Sequence, residues 1–397
     1  SGIAINVVVW AAYSPETLGV FNQVFAIYVI ASQFAVAGIH LSVVKLVAQY
    51  ADQQEVYRTV NTTAILLAAG IAGVSSLLLW KLSAPIGELL GSDGVAQGIG
   101  YIAPGLLFFS INKILLSILN GLSRMKQYAV FQALRYLLIV AALVLLALRD
   151  VPGEMLVLAF TIAEVILLIC LSVMLFKEFN LPAVGLLRKW LRIHLSFGIK
   201  GVGSNVLLQM NTRVDVLVLG YFWNDYLVGI FSFAAIFAEG IYQLLIVLRT
   251  VYNPLLVRLI ASQQISRLKS FIARGRRTTY RFMLIAGSAA IIIFPAGALF
   301  SENKQDYLQS WPAFAILLTG IMLSSGYIPF GQIQVQAGYP GLHTIMTLIL
   351  VLFNLLANLL LVPSYGILGA ASATALAHVA SVLLLKVFTR RNLQIQI

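Results

Sequence analysis

Apolar runs long enough to cross a bilayer follow one another along nearly all of this 397-residue chain. A transmembrane helix needs about 20 mainly apolar residues. Candidate runs lie at about 1–12, 18–44, 60–80, 99–119, 128–148, 154–176, 197–222, 226–254, 280–300, 311–336, 343–362 and 366–388. Only 10% of residues are charged and the mean hydropathy is +0.94, whereas a soluble domain carries about 25% charged residues. The two-residue alternation of a membrane barrel is absent. A bilayer tolerates only structures that satisfy every backbone polar group internally, so the predicted class is an all-α polytopic membrane protein with twelve transmembrane helices.

The runs form two copies, offset by about 210 residues. Leu18-Gly19-Val20-Phe21 returns as Val228-Gly229-Ile230-Phe231, and Ala51-Asp52-Gln53-Gln54 as Ala261-Ser262-Gln263-Gln264. Between these anchors no gap is needed: Leu46 falls on Leu256 and Val47 on Val257. Further on the register drifts, Asn120-Gly121 pairing with Ala337-Gly338 and Phe176 with Phe388. The predicted organisation is a six-helix bundle over 1–176, a linker over 177–196 and a second six-helix bundle over 197–397. Membrane proteins with repeated halves are commonly transporters whose substrate site lies where the repeats meet. Under the offset Ser1 aligns with Asn211, inside the seventh run, so the start of helix 1 is expected ahead of Ser1. Neither a basic n-region nor a small-residue cleavage site marks residues 1–12 as a signal peptide. The single Cys170 lies mid-run and reads as a small core residue.

Charge sets the orientation. With the N-terminus inside, the outer loops hold only Lys81, Arg149 and Lys304 among basic residues, beside Glu16, Glu88, Asp93, Asp150, Glu154, Asp225, Glu302 and Asp306. Most of the 26 basic residues fall on the inner side. The positive-inside rule therefore predicts both termini in the cytoplasm, with the basic excess facing anionic lipid headgroups. No basic patch interleaved with aromatics points to nucleic acid. Within 177–196, Asn180-Leu181-Pro182 breaks the chain, and Leu186, Leu187, Trp190 and Leu191 then alternate with Arg188, Lys189 and Arg192. That pattern predicts an interfacial amphipathic helix; 258–281 is expected to play the same part in the second half. The outer loop 81–98 is Gly-rich and is read as a loop.

Lys113, Arg135, Arg213 and Arg249 remain inside predicted spans, with the acids Glu164, Asp215 and Glu239. Each such charge costs about 2.5–3.5 kcal/mol near a helix centre on insertion scales. It persists by facing a wet cavity, pairing or snorkelling. Helical spacing favours a solvated cavity. Ser110, Lys113, Ser117 and Asn120 share one face, as do Tyr128, Gln132 and Arg135. So do Asn205, Gln209 and Arg213, and likewise Ser232, Glu239, Tyr242, Arg249 and Asn253. Asn22, Gln33 and His40 add polar positions in the second run, and Thr347, Asn354 and Asn358 in the eleventh. Polar helix–helix packing is the alternative for the uncharged members. Lys113 and Arg135 lie roughly 10–15 Å from the inner end at 1.5 Å per residue, near the level of His40 and Lys45, while Arg213 lies in the outer half. Lys45 and Arg249 also fit a snorkelling role, and His40 that of a hydrogen-bonded interior histidine. Arg213 and Asp215, two residues apart, share a face only if the helix is unwound, so Asp215 is expected either to pair with a charge on a neighbouring helix or to serve ion coupling. Glu164 and Glu239 either bind a coupling proton or neutralise a buried cation. Pro104, Pro254, Pro295 and Pro329 are predicted bends, static or hinged.

Several of these segments look familiar. Ser14-Pro15-Glu16-Thr17-Leu18-Gly19-Val20-Phe21 after a first helix resembles the opening of Wzx-type O-antigen flippases. So do Arg213-Val214-Asp215-Val216-Leu217-Val218-Leu219-Gly220-Tyr221-Phe222, Asn120-Gly121, and Gly366-Ile367-Leu368-Gly369-Ala370. These flippases belong to the multidrug/oligosaccharidyl-lipid/polysaccharide (MOP) exporters. The resemblance covers nearly the whole chain. It implies two six-helix bundles around a V-shaped central cavity that opens to alternate faces. It further implies an undecaprenyl-diphosphate-linked oligosaccharide moved from the inner to the outer leaflet of a bacterial inner membrane, ion coupling, and a glycan polymerase as a partner. Lipid II flippases of the MurJ type carry two further helices that have no counterpart in the predicted twelve. Lys113, Arg135, Arg213, Arg249, His40 and Lys45 are the expected diphosphate ligands. Arg offers bidentate phosphate contacts and Lys a point charge. Asn22, Gln33, Ser117, Asn120, Gln132, Asn205, Gln209, Tyr242, Asn354 and Asn358 are the expected cavity polar residues. A multidrug cation antiporter of the same frame is the alternative, resting on Glu164, Asp215 and Glu239. A membrane enzyme would show a large outer loop or a carboxylate/His cluster at an interface, and neither is visible. No P-loop, metal-ligand or nucleophile motif occurs, so no cofactor or metal is expected.

Overall fold

The computed structural model describes residues 2–180 and 184–393, and within them it is all-helical. The helices are α1 (Gly2–Ala12), α2 (Pro15–Val36), α3 (Ile39–Gln49), α4 (Gln54–Lys81), α5 (Ser83–Leu90), α6 (Asp93–Ile102), α7 (Gly105–Gly121) and α8 (Met125–Ala147). They continue as α9 (Leu158–Leu175), α10 (Val184–Asn211), α11 (Val214–Phe222), α12 (Asp225–Ala261), α13 (Ile265–Ile293), α14 (Lys304–Ser324), α15 (Ile333–Gln336) and α16 (Pro340–Leu393). α16 is two helices joined across a kink at Gly366, whose φ is 53°. Among the described residues, eight helices are long and apolar enough to cross a membrane. α6 and α7, bent by 46° beside Pro104, together make a ninth. The chain is therefore a polytopic membrane protein.

Several predicted runs are subdivided. The run 18–44 breaks at Ala37 and Gly38, both with positive φ. The run 197–222 breaks at Thr212–Arg213, where no proline stands. The run 311–336 ends its α-helix at Ser324, passes through a 3₁₀ turn at Ile328–Phe330 around Pro329, and resumes as α15. Pro295 opens a 3₁₀ turn, Phe294–Phe300, whereas α12 runs on past Pro254. The expected loop at 81–98 is largely α5 and α6. The Ser92 side chain accepts from the Val95 N–H, satisfying one of the N–H groups a helix start leaves unpaired. The predicted interfacial helix is no separate element either: α10 runs unbroken from Val184 to Asn211. Leu181 and Pro182, the expected break before it, lie outside the described residues.

Contacts divide the chain into two compact units: Ser1–Tyr13 with Val20–Gln209, and Ser14–Gly19 with Met210–Ile397. In the first, Val43, Val47, Val60, Ala64, Ile114, Ile118, Leu167 and Leu171 form the core. α10 joins it through a stripe that follows the helical period. Trp190 packs edge-on to Tyr50, with ring centroids 5.7 Å apart. Four residues on, His194 is fully buried. Its Nε2–H donates to the Val60 carbonyl (3.2 Å), which leaves Nδ1 to accept from the Ser42 hydroxyl at 2.6 Å. Four further, Gly198 lies against the α2–α3 break, where a side chain would run into the Ala37 carbonyl oxygen. The opposite face, with Arg188, Lys189 and Arg192, is exposed. Below it, Glu178 accepts from Tyr57 Oη and Arg124 Nη2, each at 2.8 Å.

The second unit is built around Leu256, Leu268, Ile272, Phe330, Ile333 and Leu385. There Gly19, on the first turn of α2, meets the Asp225 carbonyl and Gly229 of α12 backbone to backbone. These two glycines are the pair that the repeat equates. Among the described residues Gly198→Ala, which places a methyl group against the Ala37 carbonyl, is expected to cost about 1–3 kcal/mol through overpacking. Gly185→Ala, on the same helix in open space, should be neutral or slightly stabilising. Thermal unfolding of both variants in detergent checks this.

Candidate functional site

In the first unit the predicted charges of α7, α8 and α9 converge. Arg135 Nε lies 2.9 Å from Glu164 Oε1, and Nη2 donates to Oε2 at 3.3 Å. Both side chains are almost wholly buried, at 10% and 4% exposure. Asn112 Nδ2 donates to the same Oε2 at 2.7 Å and to the Glu164 backbone carbonyl at 2.8 Å. A carboxylate that accepts from Arg135 Nη2 and Asn112 Nδ2 and lies against Nε offsets the charge of one guanidinium. The ring of Phe109 carries both cations: Arg135 at 5.1 Å and Lys113 Nζ at 5.6 Å from its centroid. Tyr28 closes the cluster edge-on to Phe109 at 5.9 Å and donates to the Gly105 carbonyl.

Glu164 thus takes the second of its two predicted roles. Arg135 is neutralised, and Lys113 makes no ion pair among the described residues. Lys113, half-buried, lies over the Phe109 ring face without a counter-charge among the described residues. His40 lies within electrostatic range of Lys113, and its Nδ1 is buried without a hydrogen-bond partner. Lys45 is exposed, with Nζ 5.1 Å above the Phe197 ring.

The polar stripe residues are mostly tied to their own helices or to near neighbours. Ser117 donates to the Lys113 carbonyl (2.8 Å), Gln132 to the Tyr128 hydroxyl (3.1 Å), and Gln33 to the Val29 carbonyl (3.2 Å). Asn22 donates to Asn6 Oδ1 at 2.8 Å. Asn120, Asn205 and Gln209 are half-buried.

In the second unit the break at Arg213 unwinds the chain ahead of α11. Asp215, on the first turn of α11, makes no ion pair among the described residues. Neutral donors hold both its oxygens: Asn358 Nδ2 on Oδ1 and Thr374 Oγ1 on Oδ2, each at 2.7 Å. Asn358 also reaches the Asn354 carbonyl and Oδ1, and Asn354 Nδ2 donates to the Asn211 carbonyl at 3.3 Å. Asn358 Oδ1 is buried without a partner. Arg213 feels the charge of Glu239, which is exposed on α12. The Tyr242 ring lies tilted against that of the half-buried His378, with centroids 5.3 Å apart. Arg249 does not simply snorkel, for its Nε donates to the Ile328 carbonyl at 3.1 Å, at the 3₁₀ turn where α14 has ended. Sequence spacing missed Asn112, Phe109, Thr374 and His378. Asn112 sits one residue off the Lys113 stripe, so only its contact with Glu164 reveals it.

The geometry defines an all-helical, multi-pass membrane protein. Its fold matches an inward-facing multidrug resistance MATE family transporter of the MOP superfamily, with a TM-score of 0.80 at 13% identity over 98% of this chain and 94% of that one. It also matches the lipid II flippase MurJ in an inward closed conformation, at 0.79 and 17% identity over 98% and 85%. The family model for polysaccharide biosynthesis proteins matches residues 5–260, and the chain belongs to that family. The lipid III flippase of Escherichia coli K12 is 24% identical over 392 residues, which span 94% of this chain and 90% of that one. An uncharacterised membrane protein of Methanocaldococcus jannaschii is 24% identical over 214 residues, 54% of this chain and 47% of that protein. The resemblance to the MOP exporters drawn from the sequence motifs is borne out.

Removing one partner of a buried ion pair leaves an uncompensated charge and costs about 3–5 kcal/mol, whereas replacing both with apolar groups is close to neutral. Glu164→Leu should accordingly lower the unfolding temperature strongly, and Arg135→Leu/Glu164→Leu should recover most of the loss. A double-mutant cycle on thermal unfolding in detergent reads both.

Proposed function

We propose that the chain is a flippase for a polyprenyl-diphosphate-linked oligosaccharide, acting by alternating access without covalent chemistry. The observation that carries this reading is the Lys113–Arg135–Glu164–Asn112 cluster: two cations over one ring, with a single carboxylate paired to Arg135. A buried uncompensated cation favours an anionic ligand, and a diphosphate is such a ligand. Family membership and the likeness to a lipid III flippase support the same substrate class. In this reading Lys113 meets the diphosphate first. Arg135 engages it when the phosphate competes for the guanidinium held by Glu164. His40, Lys45, Arg213 and Arg249 are further phosphate contacts, and the half-buried Asn and Gln residues meet sugars.

The finer assignments belong to the same proposal. They are twelve spans with both termini cytoplasmic, repeated bundles over 1–176 and 197–397 joined by 177–196, and an O-antigen-type repeat unit as cargo. They include the bacterial inner membrane as location and a glycan polymerase as downstream partner. Ion coupling is placed at Asp215. Its carboxylate is buried among neutral donors, and neighbouring amide oxygens stand ready to share a bound cation or proton. The second reading is a multidrug cation antiporter, which Glu239 favours as an exposed carboxylate within α12.

The test is transbilayer movement of a fluorescent polyprenyl-diphosphate saccharide in proteoliposomes. Wild type should move it. Lys113→Ala and Lys113→Ala/Arg135→Ala should abolish movement while still inserting, and Asp215→Asn should lose the response to an imposed ion gradient. Movement retained by the Lys113 variants would sink the site. Efflux of a drug cation that depends on Glu239, with no saccharide movement, would select the second reading.

A further inference from the structure

The basic end of the second unit holds charges that this unit cannot neutralise. No Asp or Glu occurs between Glu239 and Glu302, or anywhere after Asp306. Yet two cations converge there on one buried ring. Arg276 of α13 sits 4.1 Å, and Lys386 of α16 4.7 Å, from the centroid of Tyr327, which is 4% exposed. Arg276 Nε is buried without a hydrogen-bond partner. Tyr280 braces the ring from α13, edge-on at 6.3 Å, with its hydroxyl donating to the Leu323 carbonyl. Two like charges over one ring repel each other. An anion bridging them removes the repulsion and supplies acceptors for their free N–H groups.

A second, independent feature lies next to it. α14 and α16 pack closely where Gly320 faces Ala375. Beside that contact they leave an apolar groove of about 330 Å³, lined by Ala315, Thr319, Gly320, Leu323, Leu376 and Val379. Leu323 and Leu376 are 60% and 49% exposed. Tyr280 joins the two features: its ring lies 6.3 Å from Tyr327 and its hydroxyl donates to the carbonyl of Leu323, which lines the groove. Lys386 follows Val379 by seven residues on the same face of α16.

We propose that this groove and cation pair form one binding site for an anionic phospholipid of the adjacent leaflet. Its headgroup phosphate is held between Arg276 and Lys386 over Tyr327, and an acyl chain lies along α14 and α16. The site is separate from the Lys113 cluster and stands whatever the transported substrate is. It fits the occupant on both counts: an anion with a long apolar tail matches an uncompensated cation pair that opens onto an apolar, lipid-exposed groove.

Native mass spectrometry of the purified full chain with phosphatidylglycerol or phosphatidylcholine tests it. Phosphatidylglycerol should be retained and phosphatidylcholine should not. Retention should fall about tenfold or more in Arg276→Gln/Lys386→Gln, the order expected for two lost cation contacts, and also fall in Thr319→Phe, which fills the groove. Lys386→Gln alone changes an exposed side chain and provides a variant that keeps its fold. Arg274→Gln/Arg277→Gln removes the same charge from exposed positions of α13 and should leave retention unchanged. Equal loss in that control would mean diffuse attraction and overturn the site. Unchanged retention in Arg276→Gln/Lys386→Gln would overturn it as well. Displacement by inorganic phosphate alone would overturn the lipid assignment, and so would stronger competition from a polyprenyl diphosphate, which would give the groove to transport cargo.

Discussion

Inside a bilayer, water does not satisfy polar groups, and this constraint governs every feature described above. Helices answer it for the backbone. Where they stop inside an apolar run, something must take over the freed groups. At the end of α14 it is Arg249, bonded to the Ile328 carbonyl. Ahead of α11 it is Asn354, bonded to the Asn211 carbonyl. Side chains answer it by pairing, and what cannot be paired internally becomes a place for a ligand. That separates Arg135, which Glu164 and its Asn112 brace neutralise, from Lys113, which has only a ring face.

The same reasoning ranks the candidate residues. A cation that is already paired binds an anion only by exchanging partners, so it suits a transport cycle better than permanent capture. A cation without a partner attracts an anion at once. Over Phe109 the two kinds stand side by side, Arg135 paired and Lys113 without an ion pair among the described residues. Asp215 is the reverse case. Neutral donors satisfy its oxygens and leave its charge uncompensated, so it can exchange a small cation or proton without breaking an ion pair.

The apolar runs and the repeat were legible because bilayer thickness and close packing act on local sequence. The stripe of Asn354 and Asn358 was legible too, since both sit on one helix. What escaped was set by partners distant in sequence. His194 belongs to a stripe with Trp190 and Gly198, but its basic neighbours hid that stripe under an amphipathic pattern. Only Ser42 and Val60 show why a histidine is buried there. The break at Thr212–Arg213 carries no proline or glycine, so no local signal announces it. The α5–α6 pair did carry one in Ser92, a helix cap, masked by the glycines around it.

The repeat itself separates scaffold from chemistry. It equates residues that pack: Gly19 with Gly229, which meet backbone to backbone, and Leu46 with Leu256, each buried in the core of its own unit. It does not equate the charges. Arg249 falls opposite Ile39, Glu239 opposite Val29 and Asp215 opposite Ile5, while Lys45 falls opposite Leu255. A duplicated frame that had kept both copies of a binding group would place like charges in both halves. Here the first unit carries the cation cluster on α7 and α8, and the second carries the carboxylate held by Asn358 and Thr374. Helix packing is sensitive to single methyl groups, so the small contact residues stayed alike. A charge is tied to its own partners rather than to the frame, and in the two units those partners differ: a guanidinium for Glu164, and the neutral Asn358 and Thr374 for Asp215.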